Sequence, residues 1–409
     1  MVQARRDKSL LLIESTSNQV NQFGGYTRQT PSDFGVFLRQ IASEMNFPGE
    51  NIVLGGDHLG PHVWRREPSS SAMQKARDLV RACVLAGYTK IHLDASMSLA
   101  DDPPGPLSDE VISSRAAELC EAAEEAHREL SRPGPAPLYV IGTEVPVPGG
   151  ESLDDHAPKV TQVEDLSRTI EIAKRAFEAR KLQNAWDRVI AVVVQPGVEF
   201  GDESVFPYES QNARRLSHFI SRGWHGVYEA HSTDYQTQSA LQEMVRDHFA
   251  ILKVGPWLTF AFREAVFSLA AIEREWLGAR KGIALSNVVE ALEQAMLADP
   301  QYWKDYYRGD ETAKRIARKY SLSDRSRYYW SEEHVAAALD KLLANLTAHP
   351  APMSLISQYL PNQSVALREA AIRNLPGDMI RHKILEVLDN YAGACGLVTG
   401  DLSRQQEQE

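Results

Sequence analysis

Seven short runs, apolar nearly throughout and rich in β-branched residues, recur along the first two-thirds of this chain. They are Ser9–Thr16 (SLLLIEST), Asn51–His58 (NIVLGGDH), Thr89–Ser96 (TKIHLDAS), Leu138–Val145 (LYVIGTEV), Val189–Pro196 (VIAVVVQP), Gly226–Thr233 (GVYEAHST) and Ala250–Trp257 (AILKVGPW). A strand with one wet face alternates polar and apolar residues, so runs this uniform read as strands buried on both faces. Stretches of helical spacing lie between them. SDFGVFLRQIASEM offers Ser32 as a capping residue after Pro31, and SAMQKARDLVRACVLAG stops at Gly87, a natural C-terminal glycine. VEDLSRTIEIAKRAFEARK and QSALQEMVRDHF carry the 3.6-residue apolar period.

Strands alternating with helices imply a parallel sheet with right-handed crossovers. An eighth strand would close that sheet into a TIM (β/α)8 barrel. The candidate is Pro352–Pro361 (PMSLISQYLP), and the long stretch before it reads as helices, AFREAVFSLAAIEREWLG among them. The expected fold is therefore a single barrel domain over residues 1–409, with a helical insertion before the last strand. That insertion, over residues 260–350, is expected to contribute to the site as a lid. A doubly wound open sheet with a helical domain is the competing architecture.

Bulk properties narrow the function. A formal charge of −11 over 409 residues argues against nonspecific binding to nucleic acid or to an anionic membrane surface. No apolar stretch approaches the roughly 18 residues of a membrane span. Three scattered cysteines form neither a disulfide framework nor a zinc ribbon, and Glu14 ends the first apolar run too early for a signal peptide. A cytoplasmic protein is expected.

In a barrel of this kind the active site lies at the carboxyl ends of the strands. Every candidate strand here ends in a chargeable or strongly hydrogen-bonding group: Glu14, Asp57 with His58, His92 with Asp94, Glu144, Gln195, Glu229 with His231, and Lys253. Charged groups avoid buried positions unless they are paired or ligate a metal. His92 reads equally as a satisfied core histidine, and Glu229 equally as a structural ion-pair partner. Asp57 and His58, set among Gly55, Gly56 and Gly60, favour function. No HExxH, GxSxG, EF-hand or GxxxxGK[ST] pattern occurs. Metal ligands drawn from separate strands need no local motif.

Five segments, IESTSNQVNQFGGYT, LGGDHLGP, KIHLDASMS, IGTEVPVPGG and YSLSDRSRYYW, together resemble the family of the class II tagatose-bisphosphate aldolase accessory subunit. That family is often mislabelled tagatose-6-phosphate kinase. The likeness runs from about Leu11 to about Leu360. It implies a TIM barrel akin to the metal-dependent class II aldolases. It also implies one of two roles: a non-catalytic partner of a separate catalytic aldolase subunit, or a D-tagatose 6-phosphate 4-epimerase yielding D-fructose 6-phosphate.

Epimerisation at carbon 4 of a 2-ketose cannot proceed by simple proton removal, because that carbon is not adjacent to the carbonyl. Oxidation would need a nicotinamide, for which no fingerprint is present. Retro-aldol cleavage between carbons 3 and 4, rotation of the aldehyde and re-addition remains. It requires a cation to polarise the ketone, a base on the 4-hydroxyl and an anchor for the phosphate. The expected cofactor is a divalent metal ion, zinc, held by His58, His231 and Glu144. Asp57, beside His58 as in the Asp-His pair of class II aldolases, is expected to handle the hydroxyl proton. Asp94 and Glu14 join Asp57 and Glu144 as catalytic or hydroxyl-binding candidates, and Gln195 and Lys253 as substrate-binding ones. Arg325, Arg327 and Tyr328 in SDRSRYYW are the phosphate candidates. The expected partners are a phosphorylated ketohexose, a catalytic aldolase subunit in the second role, and further copies of the chain.

Overall fold

The computed structural model describes residues 1–131, 134–142 and 158–397. All seven expected strands form, most of them shorter than their apolar runs, together with a small hairpin that the sequence did not announce. In chain order they are β1 (Leu11–Thr16), β2 (Ile52–Leu59), β3 (Lys90–Leu93), β4 (Leu138–Ile141) and β5 (Val189–Val193). The hairpin strands β6 (Glu199–Phe200) and β7 (Val205–Phe206) follow, then β8 (Val227–Ala230) and β9 (Phe249–Leu252). The main sheet runs β1-β2-β3-β4-β5-β8-β9 with every pairing parallel. A helix follows each strand of the sheet, as parallel crossovers require.

Burial on both faces shows in the core. Val189, Val192 and Val194 belong to the large apolar cluster under the surrounding helices, with Leu79, Ile91 and Leu119. Ala191 and Val193, alternating with them, pack with Val140 in a separate small cluster on the other face. The sheet is curled. Lys90 on β3 reaches Glu14 on β1 and Glu229 on β8, and Lys253, just past β9, reaches Glu14 as well.

The helix over Pro31–Glu44 is capped by Thr30 rather than Ser32. The Thr30 hydroxyl accepts the Asp33 amide at 3.3 Å while Asp33 accepts the Thr30 amide at 3.0 Å, a reciprocal box that places Pro31 at the first helical position. Gly87 ends the helix over Ser69–Leu85 with φ 95°, as its composition predicts.

The eighth strand is not found among the described residues. Pro352–Pro361 instead holds a helix, Met353–Tyr359. Ile356 and Leu360, four apart, are 0% and 3% exposed, whereas Met353 and Tyr359 are 42% and 36% exposed. Burial at every fourth residue is helical spacing, and a strand would have buried alternate ones. The apolar content was read correctly and its period was not. Among the described residues no strand follows the helices after β9. They run from Pro256–Leu277 through Val288–Ala298, Glu311–Tyr320 and Glu333–Ala348 to Pro376–Ala394, and the sheet is an open, curled one of seven strands. Their own core gathers Leu269, Ile272, Val288, Leu342 and Ile356.

Candidate active site

The residues that the sequence places at strand ends converge inside the curl of the sheet. Asp57 and His58 are neighbours on β2 and would ordinarily face opposite ways. A register irregularity between Gly56 and Leu59, with His58 at φ 49°, turns both inward. Asp57 Oδ1 then accepts from His92 Nδ1 at 2.8 Å and from the His58 amide at 3.1 Å. His58 Nδ1 lies 2.8 Å from Asp94 Oδ2. Two glycines make this approach possible. A Cβ on Gly55 would lie 2.7 Å from the Glu14 carboxylate, and one on Gly60 would lie 1.5 Å from the Asp94 carbonyl.

A second layer of charge lies beside this one. Lys90 Nζ stands 2.6 Å from Glu14 Oε1 and 2.6 Å from Glu229 Oε2. Glu229 Oε1 accepts from His231 Nε2 at 3.0 Å. Lys253 Nζ contacts Glu14 and stands 3.2 Å from Asp57 Oδ2. The imidazoles crowd together, with His58 and His231 centroids 4.9 Å apart and His92 and His231 centroids 5.4 Å apart.

Protonation follows from burial and neighbours. Burial resists the Asp57 charge, but His58, His231 and the His92 hydrogen bond hold its carboxyl well below the usual range. For His58 burial opposes the charge and the Asp57 and Asp94 carboxylates overcome it, raising it to about 9. Burial wins at His231, whose pKa falls, and at His62, which falls to about 4. It also pulls the Lys253 ammonium down to about 7. Glu229 is buried too, yet Lys90 and His231 bring it to about 2.

Asp57, His92, Glu229 and His231 each turn one ligand atom to a common point, all within 4.8 Å of one another. Two imidazoles and two carboxylates suit a divalent cation. His92 fits such a role in detail. Its Nδ1 lies 2.8 Å from Asp57 Oδ1, a carboxylate contact of the kind that orients metal-bound histidines, and its buried Nε2 has no hydrogen-bond partner. These four residues could hold a metal. Of the expected ligands, His231 belongs to this group. His58 is turned to Asp94, and Glu144 lies outside the described residues.

Asp57 and His231 of this group open onto a cavity of about 340 Å³, with His92 and Glu229 buried behind them. Glu14, Asp57, His58, His231 and Lys253 line it from the strands. Asn18, Gln19 and Tyr26 come from the loop after β1, Asp234 from the loop after β8, and Gly255 and Thr259 from just past β9. Arg327 and Tyr328 line it from the C-terminal helices, the Tyr328 ring meeting that of Tyr26 at 4.8 Å. Asp94 lies behind His58. Gln195 is turned elsewhere, its side-chain oxygen accepting the amides of Gly197 and Val198 at 2.8 and 3.1 Å. Arg325 is not among the cavity-lining residues; it lies over the Tyr306 ring and donates to the Tyr302 carbonyl at 3.2 Å.

Sequence reasoning missed Lys90, Asp234 and Tyr26. Lys90 had a signal, since a lysine opening an otherwise buried run must find carboxylates. Asp234 and Tyr26 had none, because each lies in a loop whose course only the fold decides.

The family model for the D-tagatose-1,6-bisphosphate aldolase subunit GatZ/KbaZ-like proteins matches residues 1–396. The crystal structure of a probable tagatose 6 phosphate kinase from Sinorhizobium meliloti 1021 is 41% identical, with a TM-score of 0.87 over 97% of this chain and 96% of that one. A far weaker likeness joins the chain to the fructuronate-tagaturonate epimerase UxaE from Cohnella laeviribosi, at 12% identity and a TM-score of 0.44 over 95% of this chain and 76% of that one. The YdjI aldolase from Escherichia coli K12 is similar at 10% identity and a TM-score of 0.36, over 86% and 85%. The last two are too remote to bear on function.

Proposed function

This chain belongs to the D-tagatose-1,6-bisphosphate aldolase subunit GatZ/KbaZ-like family, and from that premise we propose that it is a D-tagatose 6-phosphate 4-epimerase. The reaction joins D-tagatose 6-phosphate to D-fructose 6-phosphate by retro-aldol cleavage and re-addition. One observation carries the reading: a buried group of two carboxylates and two imidazoles presents Asp57 and His231 to a cavity that Arg327 also lines.

Asp57, His92, Glu229 and His231 would hold the divalent cation, with zinc the ion that two nitrogens and two oxygens suit best. When bound, the cation polarises the ketone and offsets the charge that builds on the three-carbon fragment. The chain's own residues do the rest. Asp57, held anionic, accepts the 4-hydroxyl proton as the bond between carbons 3 and 4 breaks, and returns it after the aldehyde has turned. Lys253 Nζ, 3.2 Å from the same carboxylate, shares that proton and donates to a substrate oxygen. Glu14 binds a hydroxyl beside it. Arg327 and Tyr328 hold the phosphate, which keeps the aldehyde fragment from escaping.

The deciding experiment incubates the purified chain alone with D-tagatose 6-phosphate. Conversion to D-fructose 6-phosphate, abolished by a chelator and restored by zinc, is the expected outcome. Inactivity alone, with enhancement of an added catalytic aldolase subunit, makes the chain an accessory subunit instead. Consumption of ATP by the same preparation would favour the kinase of the Sinorhizobium protein's name.

A further inference from the structure

We propose that Asp324 is a positioning residue that aims Arg327 into the cavity, and that Arg263 holds Asp324 to that task. The inference rests on the reading of Arg327 as the anchor for a phosphate. It assigns a role to two buried residues that touch neither the cation cage nor the cavity.

Asp324 and Arg263 are 1% and 2% exposed. Arg263 lies on the helix over Pro256–Leu277, which starts three residues after Lys253 and so begins at the floor of the site. Its Nε donates to Asp324 Oδ1 at 2.7 Å, its Nη2 to the Ser321 carbonyl at 3.1 Å, and its Nη1 to the Lys319 carbonyl. The guanidinium also lies 4.4 Å from the centroid of the Phe260 ring. Asp324 further accepts from Ser326 Oγ at 2.9 Å and from the Thr259 hydroxyl.

Those bonds fix more than a side chain. Asp324 sits at φ 45°, the left-handed region, which costs a non-glycine residue roughly 1 kcal/mol or more unless its surroundings hold it there. The turn over Arg325–Tyr328 follows directly. Arg327 Nη1 donates to the Asp324 carbonyl at 3.0 Å and to the Ser323 carbonyl, and Nη2 stands 3.0 Å from the Tyr328 hydroxyl. The carbonyls that orient the Arg327 guanidinium are thus set by the backbone angles of Asp324, and those angles by the Arg263 pair. Two neighbouring loops brace the same segment. Asp202 Oδ1 accepts from Ser321 Oγ at 2.8 Å and Ser323 Oγ at 2.9 Å, and the Tyr235 hydroxyl donates to the Leu322 carbonyl at 2.6 Å. Arg325, two residues away, stays on its tyrosines.

The test compares phosphorylated with unphosphorylated ligand in the full chain. Asp324→Asn should raise KM for D-tagatose 6-phosphate at least tenfold while kcat at saturation stays within about threefold. Affinity for inorganic phosphate, read by calorimetry, should fall by a similar factor, and that for D-tagatose should not change. Arg327→Lys should raise KM and weaken phosphate binding at least as much, and adding Asp324→Asn to it should cost little more, since both act through one guanidinium. Ser326→Ala, a milder loss at the same carboxylate, gives a smaller shift of the same kind should Asp324→Asn fold poorly. Equal losses for phosphorylated and unphosphorylated ligands, or additive effects of the two variants, would overturn the proposal. The calorimetric arm needs no turnover. A chain that binds phosphate through this path yet does not epimerise would sink the function proposed above and leave this inference standing.

Discussion

Two regions of the molecule bury charge at close quarters, and they finish the task differently. In the helical C-terminal part every donor nitrogen of Arg263 is spent, on Asp324, Lys319 and Ser321, and Asp324 in turn accepts from three groups. At the carboxyl rim of the sheet the account stays open. The His92 Nε2 has no partner, burial has dragged Lys253 down to about 7, and a cavity begins where the carboxylates end. Buried polar groups are normally satisfied, so saturation marks a charge kept for shape, and unspent valence beside a cavity marks one kept for chemistry. Charge density alone would not have separated the two.

Three substitutions test that contrast. The largest effect is expected at the rim. Asp57→Asn keeps an oxygen for His92 and for the His58 amide but cannot take a proton, so turnover of D-tagatose 6-phosphate should drop about a thousandfold. Its melting temperature should move by no more than a few degrees, and a large fall would erase the contrast. Next is Arg263→Met, which strands the Asp324 carboxylate in the interior. A loss of about 3–5 kcal/mol in unfolding free energy is expected from denaturant titration, and a loss below about 1 kcal/mol would make the pair ornamental.

The smallest effect sharpens the comparison where the two regions meet. Asp234 accepts the amides of Gly255 and Trp257 at 3.0 and 2.8 Å, capping the helix that carries Arg263, and burial raises it to about 6. Its folded pKa lies above the roughly 3.9 of an exposed aspartate. Its contribution to stability is therefore full below about pH 4 and is lost as pH rises through 6. Asp234→Asn keeps the acceptor and removes the titration. Between pH 4 and 7 the native chain should lose about 2–3 kcal/mol relative to this variant. Parallel stability curves for the two would show that Asp234 does not titrate in that window.

Much of the sheet was legible in the sequence because strands buried on both faces leave an uninterrupted apolar signature, as VIAVVV does over Val189–Val194. The failure at Pro352–Pro361 has a physical cause. Leu355, Ile356 and Leu360 fit a helical face as well as a strand, and only packing against Leu269 and Leu342 decides between them. The site was legible in outline for the same reason as the sheet. Acids and histidines ending apolar runs must either be paired or work, and Glu14, Asp57, His58, His231 and Lys253 do gather at one floor. Finer assignments were not legible. Whether His58 or His92 faces the common point depends on the irregularity after Gly56, which no residue pattern betrays. Arg325 and Arg327 look equivalent in SDRSRYYW, but two residues apart in one tight turn they face different ways, Arg325 onto the Tyr306 ring and Arg327 into the cavity.

Glu14 grips Lys90 on one side and Lys253 on the other. A carboxylate that faces the chamber is thereby also the clasp drawing the first strand of an unclosed wall toward the end of the last. Any drift that retunes the chemistry at this residue must keep those two edges drawn together as well, so selection cannot adjust one property without answering for the other.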